Sequence, residues 1–292
     1  MTANVAPTCY RHPKREAHIR CVRCDRPICP DCMITASVGF QCPECVRGAN
    51  AGQRATRTAL GGRVASNTIS ATYVLIAINI AAFLVEAVSS RFVLNFELIG
   101  GPVRVSRFDP AVIGVAHGEY YRLLTAMFLH EPPSAGGTFF LHILFNMWAL
   151  YVVGPPVEAV LGKLRFVVLY LLAGLSGSAL AYWLAAPYAA ELGASGAIFG
   201  LFAALFVFGR RMRFNIGPIG AVIGINLLLT FTMSGISWEA HVGGLVGGAA
   251  LAAAWAYAPR KRRTLVQVAS SVALVAIIVV IVVARTHALT HG

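Results

Sequence analysis

Between residues 69 and 284 the chain passes through seven apolar stretches of about 16 to 23 residues, broken by short polar or glycine-rich segments. A hydrocarbon layer about 30 Å thick takes roughly 20 helical residues to cross. Inside it, each backbone N–H and C=O must find a partner within its own segment or a closed barrel. Runs of this length therefore predict an all-α polytopic membrane protein, with spans near 69–88, 138–154, 164–186, 194–209, 216–233, 236–257 and 265–284. Composition agrees. Charged residues make up 12% of the chain, against roughly 25% in a soluble domain. The formal charge of +12 then reads as cytoplasmic loops beside anionic lipid, and no nucleic-acid partner is expected.

Orientation follows from the same charges. With residues 1–68 inside, the inner segments carry nineteen Lys and Arg and the outer ones five, as the positive-inside bias requires. No signal peptide is visible in the first 68 residues. The expected location is the plasma membrane, with the N-terminus cytoplasmic and the C-terminus outside. Val46–Thr68 reads as a basic juxtamembrane linker, either lying on the leaflet or a solvated spacer. Residues 89–137 form a long outer loop with no full span, expected partly in the headgroup region.

All seven cysteines fall within the first 45 residues, where they form regular pairs with one histidine: Cys9/His12, Cys21/Cys24, Cys29/Cys32 and Cys42/Cys45, each with two residues between. Two such pairs complete a tetrahedral zinc site. Eight ligands fill two closed structural sites, and a segment this short needs metal to fold. His18 is the rival to His12 and breaks the pair spacing. Residues 1–45 resemble a B-box or RING-like zinc finger. That resemblance implies cross-bracing, with Cys9, His12, Cys29 and Cys32 on one ion and Cys21, Cys24, Cys42 and Cys45 on the other; spacing alone leaves a sequential arrangement open. Protein contact or regulation is the expected role, so a cytoplasmic protein partner is anticipated.

Four polar residues interrupt the apolar stretches at one depth. Spans two, four and six run from outside to inside. They place His142, Asn146, Ser195 and His241 all in the outer half. Such groups are costly in hydrocarbon and mark functional sites by default. Ser195 offers a hydroxyl and His241 a base, while His142 and Asn146, one turn apart, can donate to an oxyanion together with the backbone N–H groups at the head of span four. Asp109 lies in the outer loop and Glu239 on another helix face from His241, so a Ser–His dyad is expected rather than a triad. Glycines at 196, 200, 243, 244, 247 and 248, in small-x3-small spacing, would let the helices carrying Ser195 and His241 approach closely. Span four is short, so residues 187–193 are expected to dip inward as an irregular loop.

On Tyr121-Arg122, His142-x3-Asn146, Gly193-x-Ser195-Gly196 and Ala240-His241-x2-Gly244, residues 69–257 resemble the rhomboid intramembrane serine proteases. The resemblance implies a six-helix core, a Ser195 nucleophile, a His241 base, oxyanion roles for His142 and Asn146, and an aromatic at Phe199 stacked on the histidine. It also implies cleavage of single-pass membrane proteins near the outer face, with no cofactor needed for catalysis. Residues 258–292 add a basic loop, a seventh transmembrane helix and a short outer tail beyond that core. The competing readings are a non-catalytic rhomboid-like chaperone or scaffold and a transporter or metal-responsive receptor. The first usually lacks the serine or histidine. The second would need polar groups through the inner half, which shows almost none.

Overall fold

The computed structural model describes residues 7–51, 57–62, 70–106, 109–133, 136, 139–233 and 235–291. Parts of the expected linker, including Arg54 and Arg63, lie outside these, as do Arg107 and Phe108 of the outer loop. The chain divides into two compact units, Met1–Thr56 and Arg57–Gly292.

Among its described residues the first unit has two-residue strands, a 3-10 turn at Pro30–Cys32 and one α-helix. β1 (Ile19–Arg20) pairs antiparallel with β2 (Pro27–Ile28), β3 (Ile34–Thr35) pairs with β4 (Phe40–Gln41), and α1 spans Pro43–Ala51. Its buried core is five cysteines with Ala17 and Ile28, far too little apolar area to order the segment by burial alone. The sulfur atoms therefore sit where a larger domain would have a hydrophobic core.

The second unit begins with α2 (Ala71–Glu86), followed by α3 (Ser90–Phe96) and strands β5 (Leu98–Ile99), β6 (Val103–Ser106) and β7 (Asp109–Ile113). Next come a short α4 (Arg122–Thr125), α5 (Phe139–Leu161), α6 (Lys163–Leu184) and β8 (Ala190–Glu191). α7 (Ser195–Arg211), α8 (Gly217–Thr232), α9 (Trp238–Ala256) and α10 (Arg263–His291) complete it. The seven long helices fall on the seven apolar stretches. Three segments, 140–161, 163–184 and 260–291, are long and apolar enough to cross a membrane on that basis alone, and α2 and α8 are shorter apolar helices. α7 is lined by buried residues along most of its length. α2, α5, α8 and α10 instead turn large apolar side chains outward, among them Leu84, Trp148, Leu228 and Val280, as lipid-facing helices should.

Two boundaries differ from expectation: the seventh long helix, α10, runs on seven residues past 284, to His291, where a short outer tail is expected. The second span continues seven residues past 154, through Pro155 and Pro156, to Leu161. Membrane helices tolerate such prolines when neighbouring groups make up the lost bonds. The extra turns place Glu158 at the start of α2. Its carboxylate accepts from Ser70 Oγ at 2.5 Å, Ala71 N at 2.9 Å, Thr72 N at 3.0 Å and Thr72 Oγ1 at 2.8 Å. An acid there satisfies N–H groups that a helix start leaves unpaired and complements the helix dipole. The segment before α2, read as linker from sequence, is also tied down. Leu60 is buried, its N–H bonds Val160 O, and its carbonyl accepts from Gln267 Nε2 of α10 at 3.2 Å.

Glycines set the centre of the bundle. Gly243 and Gly247 of α9 face Ser176 of α6, and Gly244 and Gly248 face the backbone of Gly196 and Gly200 in α7. A Cβ on Gly177 would stand 2.6 Å from Ala240 O, and one on Gly196 3.0 Å from the same oxygen. Without side chains at these positions the three helices meet backbone to backbone. The two central spans predicted to approach through small residues do so.

Candidate active site and metal centres

The outer loop builds a frame for the start of α7. Arg122, 1% exposed, donates from NH1 to Leu94 O and Glu97 O, each at 2.8 Å, and from Nε to Glu119 Oε2 at 2.7 Å. The same carboxylate oxygen accepts the Gly114 N–H at 2.7 Å. Burial alone would raise the Glu119 pKa; the Gly114 N–H and the Arg122 guanidinium outweigh it and hold the carboxyl below its usual range. From this brace the chain leads through α4 to Ala126, whose carbonyl accepts the Gly193 N–H at 3.0 Å. β5 of the outer loop also pairs with β8, joining Leu98 to Glu191 and Ile99 to Ala190. The loop before Ser195 is therefore fastened at two points. Gly193 then turns with φ of 137°, a conformation open mainly to glycine.

That turn places Ser195 as the first residue of α7. Its Oγ lies 2.7 Å from Nε2 of His241, which is 8% exposed in the second turn of α9. The backbone-to-backbone contact of α7 and α9 brings the two groups together. Phe199, one turn below the serine, stacks on the His241 ring with centroids 4.3 Å apart and planes at 19°. On the other ring nitrogen, Nδ1, stands the hydroxyl of Thr230 from α8, at 2.7 Å. Thr230 does not figure among the residues singled out from sequence. A threonine in a largely apolar helix looks like ordinary back-bonding to the preceding turn, as Thr232 of the same helix does to Leu228 O, and no local pattern marks Thr230 otherwise.

His142 and Ser195 flank Gly193. A methyl built on that glycine would stand 3.1 Å from His142 Nε2 and 3.5 Å from Ser195 Oγ. His142 Nδ1 accepts the Glu131 N–H at 3.3 Å, so a neutral ring carries its proton on Nε2, the side facing the serine. Asn146 is buried one turn along and gives one amide hydrogen to His142 O at 2.9 Å, leaving its second hydrogen for another acceptor. The first N–H groups of α7 have no partner within the helix. Glu239 stays apart from His241; its carboxylate meets Ser237 Oγ at 3.4 Å. Behind His142 lies His130, fully buried, with its ring centroid 5.2 Å from that of His142 and its backbone N–H donating to Glu86 Oε2 at 2.9 Å.

In the first unit the ligand atoms gather into two sets, Cys9, His12, Cys29 and Cys32, and Cys21, Cys24, Cys42 and Cys45, each with all four atoms within 4.8 Å of one another. His12 Nδ1 is 3.2 Å from Cys29 Sγ and 3.5 Å from Cys32 Sγ. First pairs with third and second with fourth, so the arrangement is interleaved rather than sequential. Four soft donors at that spacing fit a tetrahedral zinc ion. His18 instead faces Glu16, at 3.5 Å, away from both sets.

A multi-pass helical membrane unit with a part-buried serine–imidazole pair at the head of one helix defines a class, that of helical membrane folds carrying a hydroxyl beside a potential base. Comparison with known proteins narrows it. Residues 117–258 match the rhomboid domain, and residues 4–37 match the B-box zinc finger. Rhomboid protease GluP of Bacillus subtilis (strain 168) is 36% identical over 188 residues, covering 63% of this chain and 34% of that protein. YdcA of the same strain, which also bears the rhomboid name, is 36% identical over 141 residues, covering 47% of this chain and 67% of YdcA. Rhomboid protease AarA of Providencia stuartii is 29% identical over 176 residues, covering 50% of this chain and 59% of AarA. The chain belongs to the rhomboid family. It spans between about a third and two thirds of the length of these relatives.

Proposed function

We propose that this protein is an intramembrane serine endopeptidase that cleaves single-pass membrane proteins near the outer membrane face. The observation that carries the reading is the 2.7 Å separation of Ser195 Oγ and His241 Nε2, within the reach a general base needs. Ser195 attacks the scissile carbonyl as His241 takes its proton. His142 Nε2–H, Asn146 and the N–H groups at the start of α7 stabilise the resulting oxyanion. His241 then protonates the leaving amine, and water, activated by the same imidazole, releases the acyl group from Ser195. Phe199 keeps the imidazole from swinging out of line. No metal or cofactor takes part in these steps.

Residues 69–257 form the protease core in this reading, with residues 258–292 an added basic loop and helix. The N-terminal module, within residues 1–45, holds two structural zinc ions and contacts a cytoplasmic partner; residues 46–68 link it to the core. The nineteen-to-five distribution of basic residues supports a cytoplasmic N-terminus and an outer C-terminus in the plasma membrane.

Labelling of the purified full chain with a fluorophosphonate tests the nucleophile. The probe should attach at Ser195, located by peptide mass, and should fail to attach in Ser195→Ala and in His241→Ala. Equal labelling of Ser195→Ala would reject the assignment.

A further inference from the structure

α8 has a single buried residue among those described, Thr230. Its neighbours Leu228 and Phe231 are exposed. A valine would fill the same volume, so packing alone gives no reason for a hydroxyl there. That hydroxyl has two partners. It donates to Asn226 O, one turn back in α8, at 2.7 Å, and it lies 2.7 Å from Nδ1 of His241.

A threonine hydroxyl has one hydrogen. With that hydrogen committed to the Asn226 carbonyl, Oγ1 can meet Nδ1 only as an acceptor, so Nδ1 carries the ring proton. A neutral imidazole then has its lone pair on Nε2, which faces Ser195 Oγ at 2.7 Å. Ser195 must donate, and the proton order runs from serine to imidazole to threonine to backbone carbonyl. Reversal would place Nε2–H against the serine oxygen and leave no base. Among the described residues no carboxylate bonds to His241; Glu239, the nearest in sequence, is held at Ser237.

We propose that Thr230 is the third member of the Ser195–His241 assembly, a positioning residue that fixes the histidine tautomer in place of an acid. The proposal rests on the dyad reading above. A neutral acceptor selects the tautomer and ring orientation but adds no charge to stabilise an imidazolium. Its removal should therefore cost the value of one hydrogen bond, not that of a buried ion pair.

The test is cleavage of a model transmembrane substrate by the full chain in proteoliposomes. Thr230→Val keeps shape and removes the acceptor; kcat should fall about 10-fold with KM unchanged. Thr230→Ala should fall to a similar kcat. Thr230→Ser should stay within about 2-fold of wild type. Thermal midpoints should move by no more than about 4 °C. Wild-type kcat in Thr230→Val or Thr230→Ala, failure of Thr230→Ser to rescue, or a loss carried by KM or by unfolding would overturn the proposal. Residual cleavage by Ser195→Ala in the same assay would instead overturn the dyad reading, whatever Thr230 does.

Discussion

Gly244 of α9 lies directly against the carbonyl of Gly196 in α7, one residue beyond Ser195 and three beyond His241. A side chain at 244 would occupy the space of that carbonyl, and backbone cannot move aside as a side-chain tip can. Gly244→Ala should push α7 and α9 apart and lengthen the 2.7 Å contact between Ser195 and His241. A displacement of about 1 Å in a reacting pair costs on the order of 100-fold in rate, and overpacking costs about 1–3 kcal/mol in stability. Gly224→Ala is the control, since a Cβ there meets nothing within 4 Å. Cleavage rate and thermal midpoint of the two variants, measured side by side, check this.

The brace between Arg122 and Glu119 should respond to acid. The folded pKa of Glu119 lies below its ordinary value, so its contribution is fully present above the unfolded pKa, about 4.3. It is lost as pH falls through the folded value. Thermal unfolding of wild type and Glu119→Gln from neutral pH downward should show a gap that is widest near neutrality and closes below about pH 4. Arg122→Ala leaves the Leu94 and Glu97 carbonyls without this donor and the Glu119 carboxylate without its cation, with only the Gly114 N–H and Tyr121 hydroxyl still donating to it, and should destabilise the outer loop by about 2–3 kcal/mol. A pH-independent gap would show that Glu119 does not act through its charge.

Metal content distinguishes the two cysteine sets. The full chain should bind about two zinc ions, and Cys29→Ser, which removes one ligand of the set with His12, should lower this to about one. Chelation should unfold the first unit, because its core is chiefly sulfur, and leave α-helical content of the second unit intact. Zinc measured per chain by atomic spectroscopy, with proteolytic sensitivity of residues 7–51, reads both effects. Retention of two ions by Cys29→Ser would contradict the ligand set.

Much of this arrangement is written in local pattern. Seven apolar stretches became seven helices because length and hydropathy leave a membrane segment few options. The cysteine pairs were plain for a similar reason: two-residue spacing suits one ion. Contacts between distant segments were not legible. Nothing near Pro155 and Pro156 says that the helix continues so that Glu158 can bond the start of α2, 86 residues earlier in the case of Thr72. The pairing of β5 with β8 likewise joins two-residue strands, too short to show a period. Thr230 was invisible for a different reason. A hydroxyl that bonds its own helix and one that also orients an imidazole have the same sequence signature.

The most direct measurement is cleavage of a model transmembrane substrate in proteoliposomes by wild type and Ser195→Ala, with product masses locating the cut. Wild type should give a single cut near the outer membrane face and Ser195→Ala none, although the variant is inserted and folds with an unchanged thermal midpoint. Cleavage by Ser195→Ala at the wild-type rate would contradict it.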